Sequence, residues 1–362
     1  MAVKLVKPIN YRSTANITAL DFQNIMRNLK ICKDFAVAIS GGPDSLALVL
    51  LSDQYAKDNR LKFTAISIDH SLRSDSKNEI KWIERLMRKY KIKFISLKVK
   101  GQKPKSNVMS YARDNRYSLL TQHCKKSKIT FLLTAHHLDD EIENFFMRLI
   151  RGSGIKGLSS SSVKHTHRKS GVKIIRPLLS YSKKTLIKYL AHKKQKYIFD
   201  PTNNDKRHDR SRIRLLTSKL ISEGLNKSRL ANIIDNLKKA EFAIQSSLSG
   251  HVKTLVRIRD KSHIVIRLKG FIKLPEEFQF RIAANILEYV SKKNKKPRAK
   301  SVLNVMEKIA LKDFRGMTVH GCTIVKKENE IILFQERGRI NKTGKKKPLV
   351  HFTKKGISDL FI

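Results

Sequence analysis

Acidic residues are scarce in this chain of 362 residues. It has 30 aspartates and glutamates against 77 lysines and arginines, so its formal net charge is +47 and its pI is near 10.4. A surplus of this size predicts a polyanionic partner, and we expect nucleic acid. A compositional preference for lysine contributes to the surplus but does not remove its electrostatic effect. A small-molecule amidotransferase would have no use for so much positive charge.

Cysteines and long apolar runs are also few. Cys32, Cys124 and Cys322 lie far apart, with no C-x-x-C pair. This spacing argues against a zinc ribbon, offers no local signature of an iron–sulfur cluster, and is typical of a reducing compartment. No run reaches the roughly 18 apolar residues of a membrane span, and the first twenty residues lack the apolar stretch of a secretory signal. We therefore expect a cytoplasmic protein that does not enter a membrane.

The most informative stretch lies between residues 35 and 45. Residues 35–39 are continuously apolar, as expected of a parallel strand buried on both faces. The stretch that follows, here called the phosphate loop, consists of Ser40, Gly41, Gly42, Pro43, Asp44 and Ser45. Glycines let the backbone approach an anion, and the N–H groups and dipole of the following helix favour negative charge. The loop lacks the Gly-Lys-Ser/Thr of a Walker loop and is not a G-x-G-x-x-G motif.

Strands and helices alternate along the first half of the chain. Strands are predicted at residues 62–68, 93–97, 129–134 and 174–179, and helices at 77–90, 107–123, 136–151 and 182–192. This alternation predicts an α/β fold with a doubly wound parallel sheet. Ligands bind such sheets beyond the carboxyl ends of the strands. The phosphate loop, the pair Asp69 and His70, and residues 136–140 all fall there, so we expect them to form one site.

The segment 136–151 carries both apolar and charged residues at helical spacing. The apolar positions, predicted to form one buried face, are Ile142, Phe145, Phe146, Leu149 and Ile150. His136, Asp140 and Glu143 lie off that face. An imidazole and two carboxylates beside a phosphate loop suit Mg²⁺ or a cationic amine. The alternative is a solvent-exposed helix N-terminus, where the helix dipole favours acidic residues. The neighbouring phosphate loop argues against this alternative.

The pattern changes after about residue 225. We predict helices at 227–248, 276–291 and 298–311, paired strands at 252–258 and 263–268, and two short strands within 317–336, the first passing through Gly321. This smaller α+β module has no catalytic cluster. Its most basic segment contains Lys292, Lys293, Lys295, Lys296 and Arg298. The predicted domains are therefore 1–222, 223–340 and a basic tail, 341–362.

Together these motifs resemble the bacterial tRNA(Ile)-lysidine synthetases. Matching blocks occur in the family's order at residues 37–45, 68–73, 112–113 with 116–117, 134–140, 148–154, 176–179, and 200–203 with 212–214. The phosphate loop alone is shared by many PP-loop enzymes, which split ATP between its α- and β-phosphates. The blocks Ala-His-His-Leu-Asp-Asp and Arg-Gly-Ser-Gly narrow the resemblance to tRNA-modifying enzymes, and Asp-Pro-Thr-Asn narrows it further. The family usually has Gln and Thr where Glu141 and Asn144 stand, and an acid at Ser110.

The resemblance implies a Rossmann-like ATP pyrophosphatase domain, a tRNA-binding C-terminal domain, and a two-step reaction that uses ATP and Mg²⁺. ATP adenylates O2 of the cytidine at the first anticodon position of tRNA(Ile) with a CAU anticodon. The amine of L-lysine then attacks C2 and releases AMP. The phosphate loop would hold pyrophosphate, and Asp69, His70 and Arg73 would frame the nucleotide. The implied catalytic residues are Asp44, His136, Asp140, Glu143, Arg113, Arg148 and Arg212. Asp140 is also the implied Mg²⁺ ligand.

Two other interpretations stay open at this point. One is a PP-loop tRNA thiolase, although such enzymes commonly use paired cysteines. The other is a basic RNA-binding protein with a vestigial ATP site, although the intact Asp44, Ser45, His136 and Asp140 argue against it. The sequence also leaves open whether the protein is a monomer or a homodimer.

Overall fold

The computed structural model describes residues 16–69, 76–99, 108–159, 163–167, 169–199, 209–260, 262–293 and 295–336. His70, Arg73 and the predicted basic tail lie outside these residues. The chain forms two compact units, the first extending to Lys238 and the second beginning at Lys239. The predicted boundary at 222–223 stays a prediction. Among the described helices, none combines the length and apolar character needed to cross a membrane.

The first unit contains a six-stranded sheet in the order β3-β2-β1-β4-β6-β5. Its strands are β1 (Phe35–Ala38), β2 (Phe63–Asp69), β3 (Lys93–Lys98), β4 (Phe131–Leu133), β5 (Lys164–Thr166) and β6 (Lys173–Ile175). All neighbours pair in parallel except β5, which pairs antiparallel with β6. The predicted parallel sheet is confirmed. The edge strand Lys164–Thr166, which hydrogen-bonds to β6, was not among the predicted strands.

Helices cover both faces of this sheet. The helices of this unit before α9 are α1 (Ala19–Asn28), α2 (Pro43–Asp58), α3 (Ser76–Lys89), α4 (Val108–Lys126), α5 (Leu138–Ile150), α6 (Ile155–Leu158), α7 (Lys183–His192) and α8 (Asp209–Ser222). Phe35 and Val37 of β1 pack in a core cluster with residues of α1, α2, α3 and α7. Ala36 packs on the opposite face with Leu120 and Cys124 of α4. Successive side chains of a strand point to opposite faces, so a strand covered on both sides is apolar throughout.

Helix α5 forms a separate cluster with α8 and the long helix α9 (Lys227–Leu255). The centre of this cluster is formed by Ile142, Phe145, Phe146, Ile213, Leu230 and Ile234. Leu149 and Ile150, in contrast, are 48% and 66% exposed. The prediction of a five-residue buried face is therefore wrong for these two, because the described part of the chain leaves this side of the last turn of α5 uncovered.

The second unit has its own antiparallel sheet and core, beyond the shared helix α9. Its elements are β7 (Val256–Asp260), β8 (His263–Arg267), α10 (Leu268–Phe271), α11 (Glu276–Ser291), α12 (Ala299–Ala310), β9 (Gly316–Val319), β10 (Cys322–Lys327) and β11 (Glu330–Gln335). The strand order is β7-β8-β11-β10-β9. The prediction of two strands within 317–336, with Gly321 inside the first, is wrong. The region contributes to three strands, because His320 and Gly321 adopt φ of 52° and 80° and form the turn between β9 and β10.

Candidate active site

The phosphate loop connects β1 to the N-terminus of α2. Gly42 is the N-cap of α2 and Pro43 its first residue, a position where the missing N–H of proline is not needed. The Ser45 hydroxyl accepts from the Ser40 N–H at 3.2 Å and donates to the Gly42 carbonyl at 3.0 Å. These bonds hold the loop around the start of α2. Since the first N–H groups of a helix have no partner within the helix, the loop can bind an anion there.

Gly41 brings a second segment onto the phosphate loop. Its φ is 81°, and a Cβ at this position would lie 2.5 Å from Cδ1 of Ile198. The Ile198 N–H also donates to the Gly41 carbonyl at 2.9 Å. Only glycine combines this φ with such a close neighbour. The segment after α7 is thereby fastened to the loop.

The next feature of the site is a buried histidine among carboxylates. His137, the N-cap of α5, is 3% exposed, and its Nε2 lies 3.5 Å from carboxylate oxygens of both Asp44 and Asp140. Asp139 lies 3.6 Å from Nδ1. Burial lowers the pKa of His137, but the three carboxylates outweigh it and raise the pKa to about 9. The Asp140 N–H points at Nδ1 from 3.3 Å, a hydrogen bond that only an unprotonated Nδ1 can accept. Because three carboxylates lie within 3.6 Å of the ring and outweigh this one long bond, we assign an imidazolium that joins Asp44 to Asp140.

The pKa of His136, the residue predicted to be catalytic, is shifted in the opposite direction. Its Nδ1 is 3.1 Å from the Thr134 hydroxyl. Burial, with Arg176 and Arg113 acting in the same direction, lowers the pKa of His136 to about 3, although Asp140 opposes the shift. A neutral imidazole therefore stands next to a charged one. The sequence analysis singled out His136 and missed His137. The available signal was the position of His137. It is a hydrogen-bonding residue that comes just before a predicted helix with three acidic residues in its first turn.

Asp44 of the phosphate loop and Asp140 of α5 supply two carboxylates that meet at His137. Burial raises the pKa of Asp140, but the charge of His137 and the hydrogen bond from the His137 N–H outweigh burial and bring the pKa below its usual range, so Asp140 stays ionised. Oδ1 of Asp44 is buried and has no hydrogen-bond partner among the described residues. Within the same residues no three His, Cys, Asp or Glu side chains are arranged so that they could hold a metal ion by themselves. Mg²⁺ is usually bound by one or two carboxylates together with substrate phosphates, so this donor set fits the ion.

Glu143 is paired with an arginine. Arg214 of α8 donates from Nε to Oε1 of Glu143 and, at 3.4 Å, from Nη2 to Oε2. Burial raises the pKa of Glu143 and Arg214 opposes that rise. One turn earlier on α8, Arg210 donates to Asn144 at 3.4 Å. The role of Glu143 towards lysine stays a prediction, but its carboxylate already has a cationic partner.

The predicted arginines occupy different environments. Arg212 is exposed, because Arg210 and Arg214 are four residues apart on α8 and face α5, while Arg212 lies between them. The Arg113 guanidinium lies 5.3 Å from the ring centre of Tyr117. Arg148 donates to the Gly157 carbonyl at 2.8 Å. Helical spacing would have identified Arg210 and Arg214, but the sequence analysis did not predict α8.

Asp69 is the last residue of β2 and is half-buried. Its carbonyl accepts the Val99 N–H at 3.0 Å. It therefore lies at the same sheet edge as the phosphate loop, because β1 and β2 are parallel neighbours. The roles assigned to individual site residues all stay predictions.

Comparisons with known proteins agree with the resemblance found in the sequence. A family model described as the PP-loop domain matches residues 14–220. The tRNA(Ile)-lysidine synthase of Rickettsia typhi is 33% identical over 320 residues, or 88% of this chain and 73% of that protein. The chain belongs to the tRNA(Ile)-lysidine synthase family. The synthases of Wolbachia pipientis wMel, 33% identical over 91% of this chain and 77% of theirs, and Orientia tsutsugamushi, 34% identical over 84% and 70%, agree.

The solved structure of a different enzyme shares the fold of this synthase family member. The tRNA thiolase of Methanococcus maripaludis, with its iron–sulfur cluster, superposes with a TM-score of 0.52 at 20% identity, covering 61% of this chain and 79% of its own. Cys124 packs in the core cluster on the α4 face of the sheet, and Cys322 packs in the core of the second unit. Burial raises the thiol pKa of Cys124 and Cys322 to about 12. Exposed Cys32 precedes β1, at the end opposite the phosphate loop.

One departure from the usual synthase pattern has a structural partner. Glu141 is 2% exposed and forms an ion pair with Lys238 of α9. Burial raises the pKa of Glu141, and Lys238 opposes the rise. A carboxylate in place of the family's usual amide is therefore compensated by a lysine within the same unit.

Proposed function

We propose that this protein joins L-lysine to C2 of the cytidine at the first anticodon position of a tRNA(Ile) with a CAU anticodon. The product, lysidine, pairs with A rather than G and changes decoding to AUA. The observation that carries the proposal is the 33% identity to named tRNA(Ile)-lysidine synthases over 88% of the chain. The phosphate loop and the carboxylates around His137 support it, and a tRNA substrate suits the net charge of +47. We place the activity in the cytoplasm.

The reaction has to make cytosine C2 electrophilic. In the first step, O2 of the cytidine attacks the α-phosphorus of ATP, and the bond to the bridging oxygen of the β-phosphate breaks to release pyrophosphate. In the second step, the neutral amine of lysine attacks C2. The C2–O2 bond then breaks, AMP leaves with O2, and the amine loses its proton. Converting O2 into part of an AMP leaving group is what permits the substitution.

The residues of the site suit these steps. The phosphate loop offers N–H groups and the α2 dipole to the departing pyrophosphate. His137 keeps Asp44 and Asp140 in place. Asp140, with the unpartnered oxygen of Asp44, would hold Mg²⁺, which when bound supplies positive charge that offsets the phosphate oxygens. Arg113 and Arg148 add fixed positive charge near the site.

Lysine arrives as an ammonium and has to become a neutral nucleophile. A carboxylate such as Asp140 or Glu143 binds the cation but also favours its protonated form. We therefore propose that the cytidine is adenylated before lysine is needed. Without lysine, the protein should still exchange labelled pyrophosphate into ATP when tRNA(Ile) is present. Exchange that strictly requires lysine would overturn this order.

The decisive assay uses total tRNA, ATP and labelled lysine, followed by digestion to nucleosides. We expect labelled lysidine, together with AMP and pyrophosphate. ADP and phosphate as the sole nucleotide products would contradict PP-loop chemistry. Binding of tRNA without any AMP formation would favour an RNA-binding protein with a vestigial ATP site, and a thiolated nucleoside would favour a thiolase.

A further inference from the structure

We propose that Tyr197 and Phe199 form a stacking surface for a nucleobase beside the phosphate loop. Phe199 is 69% exposed and Tyr197 is 37% exposed. Large aromatic side chains gain most from burial, so two of them left exposed at alternate positions of one short segment are unusual. Exposed aromatic rings next to a phosphate-binding element are the arrangement with which proteins bind single-stranded nucleic acid.

The segment that carries the two rings is fastened at several points. Ile198, which lies between them, packs against the main core of the first unit. Its N–H donates to the Gly41 carbonyl at 2.9 Å. At the other end of the segment, the Gln195 N–H donates to the Leu190 carbonyl at 3.0 Å, and its side-chain oxygen accepts from the Tyr90 hydroxyl at 2.9 Å.

These contacts fix the backbone that carries the aromatic side chains. Ile198 packs against Gly41 and the core. The side chains of Tyr197 and Phe199, on either side of it in the chain, are exposed. A backbone held in this way presents the two rings with little further loss of conformational freedom on binding, which favours affinity.

The position next to the phosphate loop determines the class of ligand. An anion at the start of α2 places the rest of a nucleotide close to the segment bonded to Gly41. Lys196, between Gln195 and Tyr197, is exposed and adds a cation suited to a phosphate. Every base has a π face, so stacking tolerates any base. A nucleobase attached to a phosphate therefore matches this surface in both shape and charge.

Two nucleobases take part in the proposed reaction, namely the adenine of ATP and the target base of the RNA. Either base could stack on the two aromatic rings, and the experiment below distinguishes adenine from the RNA base. The RNA alternative rests on the proposed function, whereas the ATP alternative requires only that the phosphate loop binds ATP.

The test uses the full chain with Phe199→Ala, Phe199→Leu and Phe199→Trp. ATP affinity is measured by calorimetry without RNA. RNA affinity is measured by fluorescence anisotropy without ATP, using an anticodon stem–loop with cytidine at the first anticodon position and the same stem–loop with an abasic site there. We expect alanine and leucine to weaken one of the two intact ligands by about tenfold, and tryptophan to retain the wild-type affinity.

The pattern of losses identifies the base. A loss for ATP alone assigns adenine. A loss for the intact stem–loop, with no change for the abasic one, assigns the RNA base. The matched control is Phe242→Ala, an aromatic residue of α9 that is 36% exposed, and it should leave ATP affinity and the difference between the two stem–loops unchanged.

A second readout does not depend on affinity. The fluorescence of Phe199→Trp, corrected for Trp82 with the wild-type protein, should be quenched when the assigned ligand binds. Wild-type affinity of all three variants for both ligands, or equal losses with leucine and tryptophan, would overturn the stacking surface. Absence of lysidine formation by the wild-type protein would instead overturn the proposed function, and the ATP measurements would still decide whether the rings stack on adenine.

Discussion

Two adjacent histidines show how strongly the surroundings of a side chain determine its pKa. Burial favours the neutral form of both His136 and His137. His136 faces arginines that act in the same direction, and its pKa falls to about 3. His137 faces three carboxylates that outweigh burial and raise its pKa to about 9. At neutral pH one is therefore a neutral hydrogen-bonding group, and the other is protonated until the pH approaches its raised pKa.

His137 predicts a specific pH dependence of stability. Because its pKa is about 9 in the folded state and about 6.5 when unfolded, its contribution is fully present below about pH 6.5 and is lost as the pH rises through about 9. We expect the unfolding free energy of the wild type, relative to His137→Gln, to fall by up to about 3 kcal/mol across this window. Urea unfolding at several pH values measures the difference, and a constant difference would contradict the imidazolium.

Asp44 predicts a loss of catalysis without a loss of fold. Its Oδ2 atom faces His137 at 3.5 Å, and its Oδ1 atom is buried without a partner in the described part of the chain. Removing the charge weakens the pairing with His137, but Asp139 and Asp140 still face that ring, so we expect the fold to persist while the bound ligand loses a carboxylate. Asp44→Asn should reduce AMP formation by about 100-fold or more. Asp58→Asn, at the exposed end of the same helix, is the control and should keep its rate. Equal activity of both variants would contradict a role for Asp44.

At the scale of elements, the site is assembled where segments distant in sequence touch. The phosphate loop and the segment after α7 meet through Gly41 and Ile198, and α5 meets α8 through Glu143 and Arg214. Each contact uses a feature that is unremarkable by itself, a glycine in one case and an arginine in the other. Their effect depends on the facing residue, so variants at both sides of a contact should be coupled.

The contact at Gly41 predicts a measurable rescue. Gly41→Ala combines a positive φ with a Cβ 2.5 Å from Cδ1 of Ile198, whereas Gly171→Ala has a φ of 73° with open space around it. We expect Gly41→Ala to cost about 1–2 kcal/mol more than Gly171→Ala in urea unfolding. Ile198→Val removes the clashing methyl group and should recover part of that difference. Equal costs of the two alanine variants would contradict the tight contact.

The Glu143–Arg214 pair predicts non-additive effects. Removing one partner leaves a buried or half-buried charge uncompensated. Glu143→Gln and Arg214→Gln should each destabilise the protein, and the double variant should be more stable than additivity predicts by about 1 kcal/mol. If Glu143 also serves lysine, Glu143→Gln raises the KM for lysine more than it slows pyrophosphate exchange. Additive stabilities would contradict coupling within the pair, and an unchanged KM would contradict a role of Glu143 towards lysine.

At the scale of the molecule, charge is spread over two units that each have their own core. The residues predicted to be catalytic all belong to the first unit. The second unit has a basic segment after α11 in which Lys295 and Lys296 are exposed. A tRNA substrate can therefore be bound by charges of both units, and its affinity should depend strongly on salt.

The salt dependence of tRNA binding tests this distribution of charge. Lys295→Gln with Lys296→Gln should weaken binding. The slope of log affinity against log salt should also fall by about 0.7–0.9 for each phosphate that the variant no longer neutralises. Lys57→Gln is the control, because Lys57 already pairs with Asp53 on α2. An unchanged slope in the double variant would mean that this segment does not bind the RNA.

Local patterns were sufficient for most of the fold. The apolar runs and the alternation of strands with helices predicted the parallel sheet, because a strand covered on both faces has to be apolar throughout. The residues of the phosphate loop predicted an anion-binding turn, since glycine at 41 and proline at 43 are explained by their own backbone positions. The predicted strand through Gly321 was wrong, because a glycine inside an alternating run fits a turn as well as a strand.

What only the tertiary structure decided is which distant groups face one another. Nothing local to residues 136 and 137 distinguishes a neutral imidazole from a charged one; the arginines and carboxylates around them do. Arg214 lies 71 residues after Glu143 in the chain, and exposure of Leu149 and Ile150 depends on where α8 and α9 pack. The periodicity of side chains shows which residues share a face of their own helix or strand. Charge state and burial are set by the element that packs against that face.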